Sequence, residues 1–240
     1  MSQPTVSRDL QSFYDSSYDG GSQVRSIRAI DRVNAIRALC ADRRFETVLE
    51  VGAGEGSVLQ RLDETCFAPS LFGLEISASG VEAIKRRGIR SLREAKLFDG
   101  YAIPYPDKTF DLAYATQVLE HVEHERQFLT ELKRVAKAVF IEVPLEDTIW
   151  LARNIRSTAV GHINFYRQET ILNLLRTVAL EPTRYKLVDY SLATAKFESG
   201  PVRGAVKHAL RQGFLHTAPW LGQRLFTYFL AALADTPAGA

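Results

Sequence analysis

The stretch Val48-Leu-Glu-Val-Gly-Ala-Gly-Glu-Gly-Ser57 decides how the rest of the chain is read. A short aliphatic run stops at three closely spaced glycines, and Ser57-Val-Leu-Gln-Arg-Leu62 follows with helical spacing. A strand that ends in a glycine-rich turn and opens a helix brings backbone close to a ligand and points free N–H groups at it. The glycines fall at 52, 54 and 56, and Ser57 stands where a dinucleotide fingerprint puts its third glycine. Glu50 is an acid inside an otherwise apolar strand, two residues before the first glycine. A carboxylate buried there needs a hydrogen-bonding or cationic partner, so an ammonium suits it and a pyrophosphate is repelled. A nicotinamide-dependent oxidoreductase is disfavoured on both counts.

Outward from this turn, strands and helices alternate. Ser70 to Ile76 reads as a second strand, Ala78 to Arg87 as a helix closed by Gly88, and Ala95 to Asp99 as the end of a third strand. Tyr101 to Lys108 is a proline-punctuated loop, Phe110 to Thr116 a fourth strand, and Lys137 to Pro144 a fifth, with one long helix expected between those two strands through Ala136. Upstream, Val24 to Cys40 repeats apolar residues every three positions, as an amphipathic helix does. This order predicts right-handed βαβ units and a doubly wound, mostly parallel sheet. Farther on, Gln168 to Ala179 reads as a helix and Thr183 to Tyr190 as a strand with Tyr185, Leu187 and Asp189 toward one face.

At 240 residues, 46% hydrophobic and 24% charged, the chain has the composition of a globular domain large enough to bury a full core. The two cysteines, Cys40 and Cys66, form no CxxC or Cys/His cluster, so neither a disulfide framework nor structural zinc is expected. Met1 to Leu10 lacks the apolar region of a secretory signal, and the longest apolar run, Leu225 to Ala234, is ten residues. A cytoplasmic protein without stable membrane insertion is the expectation. Net charge is +2, too balanced for a chain that mainly grips nucleic acid. The balance hides a split: residues 45–150 carry eighteen Asp/Glu against twelve Lys/Arg, and residues 151–240 carry eleven Lys/Arg against five Asp/Glu.

The segment Glu50-Val-Gly-Ala-Gly-Glu-Gly56 resembles motif I of the class I S-adenosylmethionine-dependent methyltransferases, with the small-molecule group of the ubiquinone and menaquinone type the most similar. The resemblance extends over roughly residues 13–194. It implies a Rossmann-like seven-stranded sheet and S-adenosyl-L-methionine as cofactor. Gly52, Ala53, Gly54 and Gly56 would lie under the cofactor, with Glu50 holding its amino-acid end. Glu75, ending the second strand, would accept the ribose hydroxyls beside Ile76, and Asp99 would take the adenine amine with Gly100 near the ring. Thr116-Gln117 would line the methyl-transfer site. Phe13-Tyr14-Asp-Ser-Ser-Tyr18 resembles an N-terminal stretch that folds over the cofactor, making Tyr14 and Tyr18 candidates to close it. The chain departs from the family at Ala136-Lys137-Ala138, where a Lys-Pro-Gly-Gly turn is usual.

Methyl transfer needs orientation and exclusion of water, and a hydroxyl acceptor gains from a general base. His121 and His162 are the candidates, His124 a weaker one, and on their strength oxygen is favoured over nitrogen as the acceptor atom. Glu120, His121, Glu123, His124 and Glu125 make a dense acid/His cluster, read as a solvated charged face rather than a metal site. Residues 195–224 are expected to insert over the acceptor pocket, after an N-terminal cap (1–44) and the cofactor-binding core (45–194), and before a last strand at 225–235. Within the insertion Arg203, Lys207 and Arg211 form one basic helical stripe, with Val202, Ala205, Val206 and Leu210 on the apolar side. That stripe suits an anionic small-molecule acceptor, and contact with a membrane surface or a partner subunit stays open. A homodimer stays open, and a non-catalytic S-adenosylmethionine-binding or scaffold protein is the alternative from another functional class. Thr116-Gln117-Val118-Leu119 stands where nucleic-acid methyltransferases carry an Asn/Asp-Pro-Pro-aromatic motif.

Overall fold

The computed structural model describes residues 8–17, 23–154 and 161–236. Helices α1 (Arg8–Ser17) and α2 (Gln23–Leu39) lead into β1 (Thr47–Val51), α3 (Ser57–Glu64), β2 (Ser70–Glu75), α4 (Ala78–Arg86), β3 (Leu92–Leu97) and β4 (Phe110–Thr116). A single 3-10 turn (Leu119–His121), α5 (Glu125–Val135) and β5 (Ala136–Leu145) come next. The C-terminal part adds α6 (Leu151–Asn154), α7 (Gln168–Thr177), β6 (Pro182–Val188), α8 (Leu192–Ser199), α9 (Pro201–Thr217), α10 (Pro219–Leu225) and β7 (Tyr228–Asp235).

The seven strands form one sheet in the order β3-β2-β1-β4-β5-β7-β6, parallel except for β7, which runs antiparallel to both neighbours. The chain order reverses beside β1, between β2 and β4, so the carboxyl ends of these strands open onto one crevice. The central strands are apolar on both faces because helices cover both. Val48, Leu71, Leu112 and Phe140 pack on one side against Val33, Ile36, Leu59 and Ile84. Leu49, Leu74, Ala113 and Ile141 pack on the other against Phe128, Leu132, Ile171 and Leu175. β7, whose Ala/Leu run is compatible with helix or strand, is drawn into the sheet by the hydrogen-bonding edges of β5 and β6.

Four expectations need correction. The long helix between β4 and β5 is divided into the 3-10 turn and α5. The carbonyls that would continue it are taken from outside: Asn164 Nδ2 donates to Leu119 O at 3.0 Å and to Val122 O at 2.8 Å, and the amides of Ile163 and Asn164 donate to Glu120 O. α5 then passes into β5 with no residue between them, which is how the chain manages without the usual glycine turn. β6 ends at Val188, so Asp189 lies beyond it, and Tyr185 is exposed on this outer strand.

The basic stripe on α9 is broken, because Arg211 is buried. Its Nε lies 2.8 and 3.0 Å from the two oxygens of Asp189, Nη2 donates to Thr227 O, and the guanidinium covers the Tyr228 ring at 4.8 Å. The helix is also turned over relative to the expected amphipathic reading: Val202 (76% exposed), Val206 and Leu210 face outward. The cause is Gly204, where a Cβ would sit 2.2 Å from Ala195 O; this glycine lets α9 press against α8 and fixes which side faces inward. No helix of the described residues is long and apolar enough to cross a membrane.

Candidate functional site

The turn after β1 is held by the neighbouring strand: the amides of Gly52 and Ala53 both donate to Leu74 O at 2.9 Å. Gly52 takes φ 79°, and a Cβ there would meet Val118 Cγ2 at 2.5 Å, so only glycine lets the turn pass under the residues that follow β4. Gly54 donates its amide to Glu75 Oε2 at 2.8 Å, while Glu75 Oε1 accepts from the amide and hydroxyl of Ser77. Glu75 is buried at the end of β2, and burial raises its carboxyl above the ordinary range despite these bonds. Gly56 caps α3 and stands behind the turn rather than in the wall of the crevice.

Glu50 ends up 2% exposed beside Tyr114, its register partner on β4, and its Oε2 has no hydrogen-bond partner. Burial pushes this carboxyl up to about 8. Two more acids are equally deep at the same strand ends. Glu142 on β5 and Glu120 in the 3-10 turn are both driven to about 7 by burial. Arg32 reaches over them from α2, with its Nε 3.9 Å from Glu142 Oε1. Glu55, inside the glycine turn, is also buried but paired, at 3.0 Å from Arg25 Nε and 2.8 Å from Arg87 Nη2.

The far end of the crevice is formed by Ile76, Phe98 and Gly100. Asp99 does not line it: its Oδ1 accepts the amides of Tyr101 (2.9 Å) and Ala102 (2.7 Å), holding the turn that presents Gly100. α1 closes the top, with Gln11 Nε2 donating to Ile76 O at 2.9 Å and Ser79 Oγ donating to Tyr14 O at 3.3 Å. The Tyr14 ring lies edge-on to His121 at 6.4 Å, and burial raises its hydroxyl to about 12. Tyr18 lies outside the described residues.

Thr116 is buried at the end of β4, and Gln117 leaves the strand in the left-handed region at φ 58°, uncommon for a residue with a side chain. Its amide donates to Glu142 O at 3.0 Å. Gln117 lines both the crevice, about 180 Å³, and a second cavity of about 480 Å³ bounded by α8 and α9. His121 faces the first and His162 the second, with ring centroids 4.7 Å apart. Burial lowers His121 to about 4, whereas the bond from His162 Nδ1 to Glu146 raises His162. The acid/His segment is thus divided: Glu123 and His124 are exposed as a solvated face would be, whereas Glu120 is fully buried and His121 partly so. Within the second cavity Arg28 is matched by Glu198 and Arg211 by Asp189, whereas His208 Nδ1 has no partner.

The structure thus brings Glu50, Gly52, Ala53, Gly54, Glu75, Ile76, Gly100, Thr116, Gln117, Tyr14 and His121 around one crevice, and leaves Gly56, Asp99 and His162 outside its wall. Sequence reasoning missed Glu142, Arg25, Arg32 and Phe98. Glu142 carried the same signal as Glu50, an acid within an apolar strand, and Arg25 and Arg32 lie seven apart on one helical face.

A family model for a methyltransferase domain matches residues 24–184. Among curated proteins, norajmaline N-methyltransferase of Rauvolfia serpentina is 28% identical over 136 residues, 52% of this chain and 46% of that one. Fatty-acid O-methyltransferase of Mycolicibacterium smegmatis is 33% identical over 98 residues, 40% and 35% of the two chains. The chain spans about half the length of the first curated relatives it matches. Among solved structures, geranyl diphosphate methyltransferase in complex with S-adenosylmethionine superposes with a TM-score of 0.62 at 15% identity, covering 91% of this chain and 93% of that one.

Proposed function

The chain belongs to the class I S-adenosylmethionine-dependent methyltransferases, and from that premise we propose that it methylates an oxygen atom of a small, anionic acceptor seated in the second cavity. The observation that carries this reading is Gln117, the strained residue common to the walls of both cavities, with His121 and His162 in ring contact beside it.

S-adenosyl-L-methionine, when bound, supplies an electrophilic methyl group on a sulfonium. In this reading the orphaned Oε2 of Glu50 receives its ammonium, which offsets the desolvation cost of a buried carboxylate with one oxygen unpartnered. Glu75 keeps its bonds to Gly54 and Ser77 and has lone pairs left for the ribose hydroxyls. Phe98 and Gly100 flank the adenine, and Asp99 acts by shaping their turn. Tyr14 and α1 exclude water. His121 and His162 form the imidazole wall toward which the acceptor hydroxyl turns, with His162 the stronger base of the two, and Lys207 and His208 receive its negative group.

Calorimetric titration tests the cofactor assignment. S-adenosylhomocysteine is expected to bind at micromolar affinity, NAD to give no heat, and Glu75→Ala to abolish binding; heat from NAD and none from S-adenosylhomocysteine overturns it. For the acceptor, a panel of hydroxylated carboxylic acids and matched amines is assayed with labelled cofactor. Transfer to the amines alone would sink the preference for oxygen.

A further inference from the structure

Glu120, in the 3-10 turn after β4, is fully buried, and neither of its carboxylate oxygens has a hydrogen-bond partner. Leaving such a group unpaired carries its full desolvation cost, larger still when it is charged. Arg32, the nearby cation, pairs at 3.9 Å with Glu142 and makes no ion pair with Glu120. The backbone that carries it is fixed, because the Glu120 carbonyl accepts the amides of both Ile163 and Asn164. Those same bonds keep the neighbouring His162 close to Glu120 and His121, the two imidazole rings lying edge-on with centroids 4.7 Å apart.

Both imidazoles are braced from behind. His121 Nδ1 lies 3.3 Å from Gly161 O, and His162 Nδ1 bonds to Glu146 Oε2. When Nδ1 donates to a carbonyl or a carboxylate, Nε2 carries the lone pair, and metal-ligating histidines almost always have such an outer bond. One donor atom from each of Glu120, His121 and His162 lies within 4.8 Å of the others. Metal–ligand lengths of about 2.0–2.2 Å bring tetrahedral donors to roughly 3.4 Å, so side-chain rotations of about 1 Å close the set.

We propose that Glu120, His121 and His162 bind a divalent transition-metal ion of the zinc or cobalt type at the boundary of the two cavities. Two imidazoles and one carboxylate leave open coordination positions, and the ligand suited to them is an oxygen donor such as a hydroxyl, or a hydroxyl beside a carbonyl. The proposal deepens the oxygen-acceptor reading by giving the histidine wall its means of orienting the hydroxyl, and it rests on that reading for the ion's purpose alone. The three residues themselves carry the site.

Tag-free full-length protein is titrated with Co²⁺ in the absence of cofactor and acceptor, followed by its visible ligand-field bands and by displacement with Zn²⁺. One equivalent is expected to bind, with Glu120→Gln and His162→Ala each weakening it at least tenfold. Glu146→Gln, which leaves the three ligands in place, is expected to weaken it about 10–100-fold. Circular dichroism and S-adenosylhomocysteine affinity of His162→Ala should match the parent, which separates loss of the ion from loss of the fold. Absence of Co²⁺ and Zn²⁺ binding overturns the proposal, as does binding undiminished in Glu120→Gln and His162→Ala. Neither result touches the cofactor assignment, which stands or falls on S-adenosylhomocysteine.

Discussion

Glu50 is 2% exposed with one oxygen unpartnered, and burial holds its carboxyl at about 8 against an ordinary value of 4.5. A carboxyl raised in this way is protonated in the free protein at neutral pH. Its contribution to folding stability is therefore complete below pH 4.5 and is lost as pH rises through 8. A cofactor ammonium favours the charged form and reverses the burial effect. S-adenosylhomocysteine affinity is accordingly expected to rise between about pH 6 and 7.5, with proton release approaching one per site. Calorimetry in buffers of different ionisation enthalpy measures both. Glu50→Gln should flatten the dependence and abolish the proton release, and a slope unchanged in that variant would assign the titration elsewhere. Glu50 was legible in the sequence because an acid inside Val-Leu-x-Val stands out. That one of its oxygens is left unpartnered was not, since that depends on what β4 and α2 place around it.

Among elements, α9 shows how packing overrides periodicity. Its apolar positions promised burial of Val202, Val206 and Leu210, yet the close approach of Gly204 to Ala195 O turns that side outward. Two glycines of the same helix should then respond in opposite ways. Gly204→Val is expected to destabilise by about 1–3 kcal/mol, because a side chain there meets backbone. Gly213→Ala, with nothing within 4 Å of the added Cβ, should stabilise by roughly 0.5–1 kcal/mol through helix propensity. Thermal unfolding distinguishes them, and equal effects would refute the packing argument. The segment after β4 follows the same logic. Its sequence reads as helix, but Asn164, forty-odd residues away, takes the carbonyls that a helix needs.

Across the whole molecule, the C-terminal helices are tied to the core by a buried ion pair. Arg211 from α9 meets Asp189 beyond β6 and Thr227 O before β7, with side chains 10% and 1% exposed for the pair. Arg211→Ala leaves Asp189 buried without its cation and is expected to cost about 3–5 kcal/mol in denaturant unfolding. Arg211→Met combined with Asp189→Leu should recover most of that loss. If the double variant is no better than the single one, the pair is not what fastens these helices. Of residues 151–240, those lining the second cavity set Lys207 and Arg211 against Asp189 and Glu198, so the basic excess of that stretch is smaller at the cavity than along the chain.

The sequence by itself determined the parallel sheet, the glycine turn and the carboxylates at the ends of β1 and β2. Each of these is local: continuous apolar strands, glycines where backbone must turn, and acids at strand ends report themselves within a few residues. Tertiary structure alone decided that Asp99 supports a turn instead of facing the crevice, and that Arg211 is buried. It also decided that Glu120, His121 and His162 meet. Those outcomes depend on which distant segment supplies a hydrogen bond or a countercharge, and that is fixed only when the sheet brings residues 117–121, 161–164 and 189–211 together.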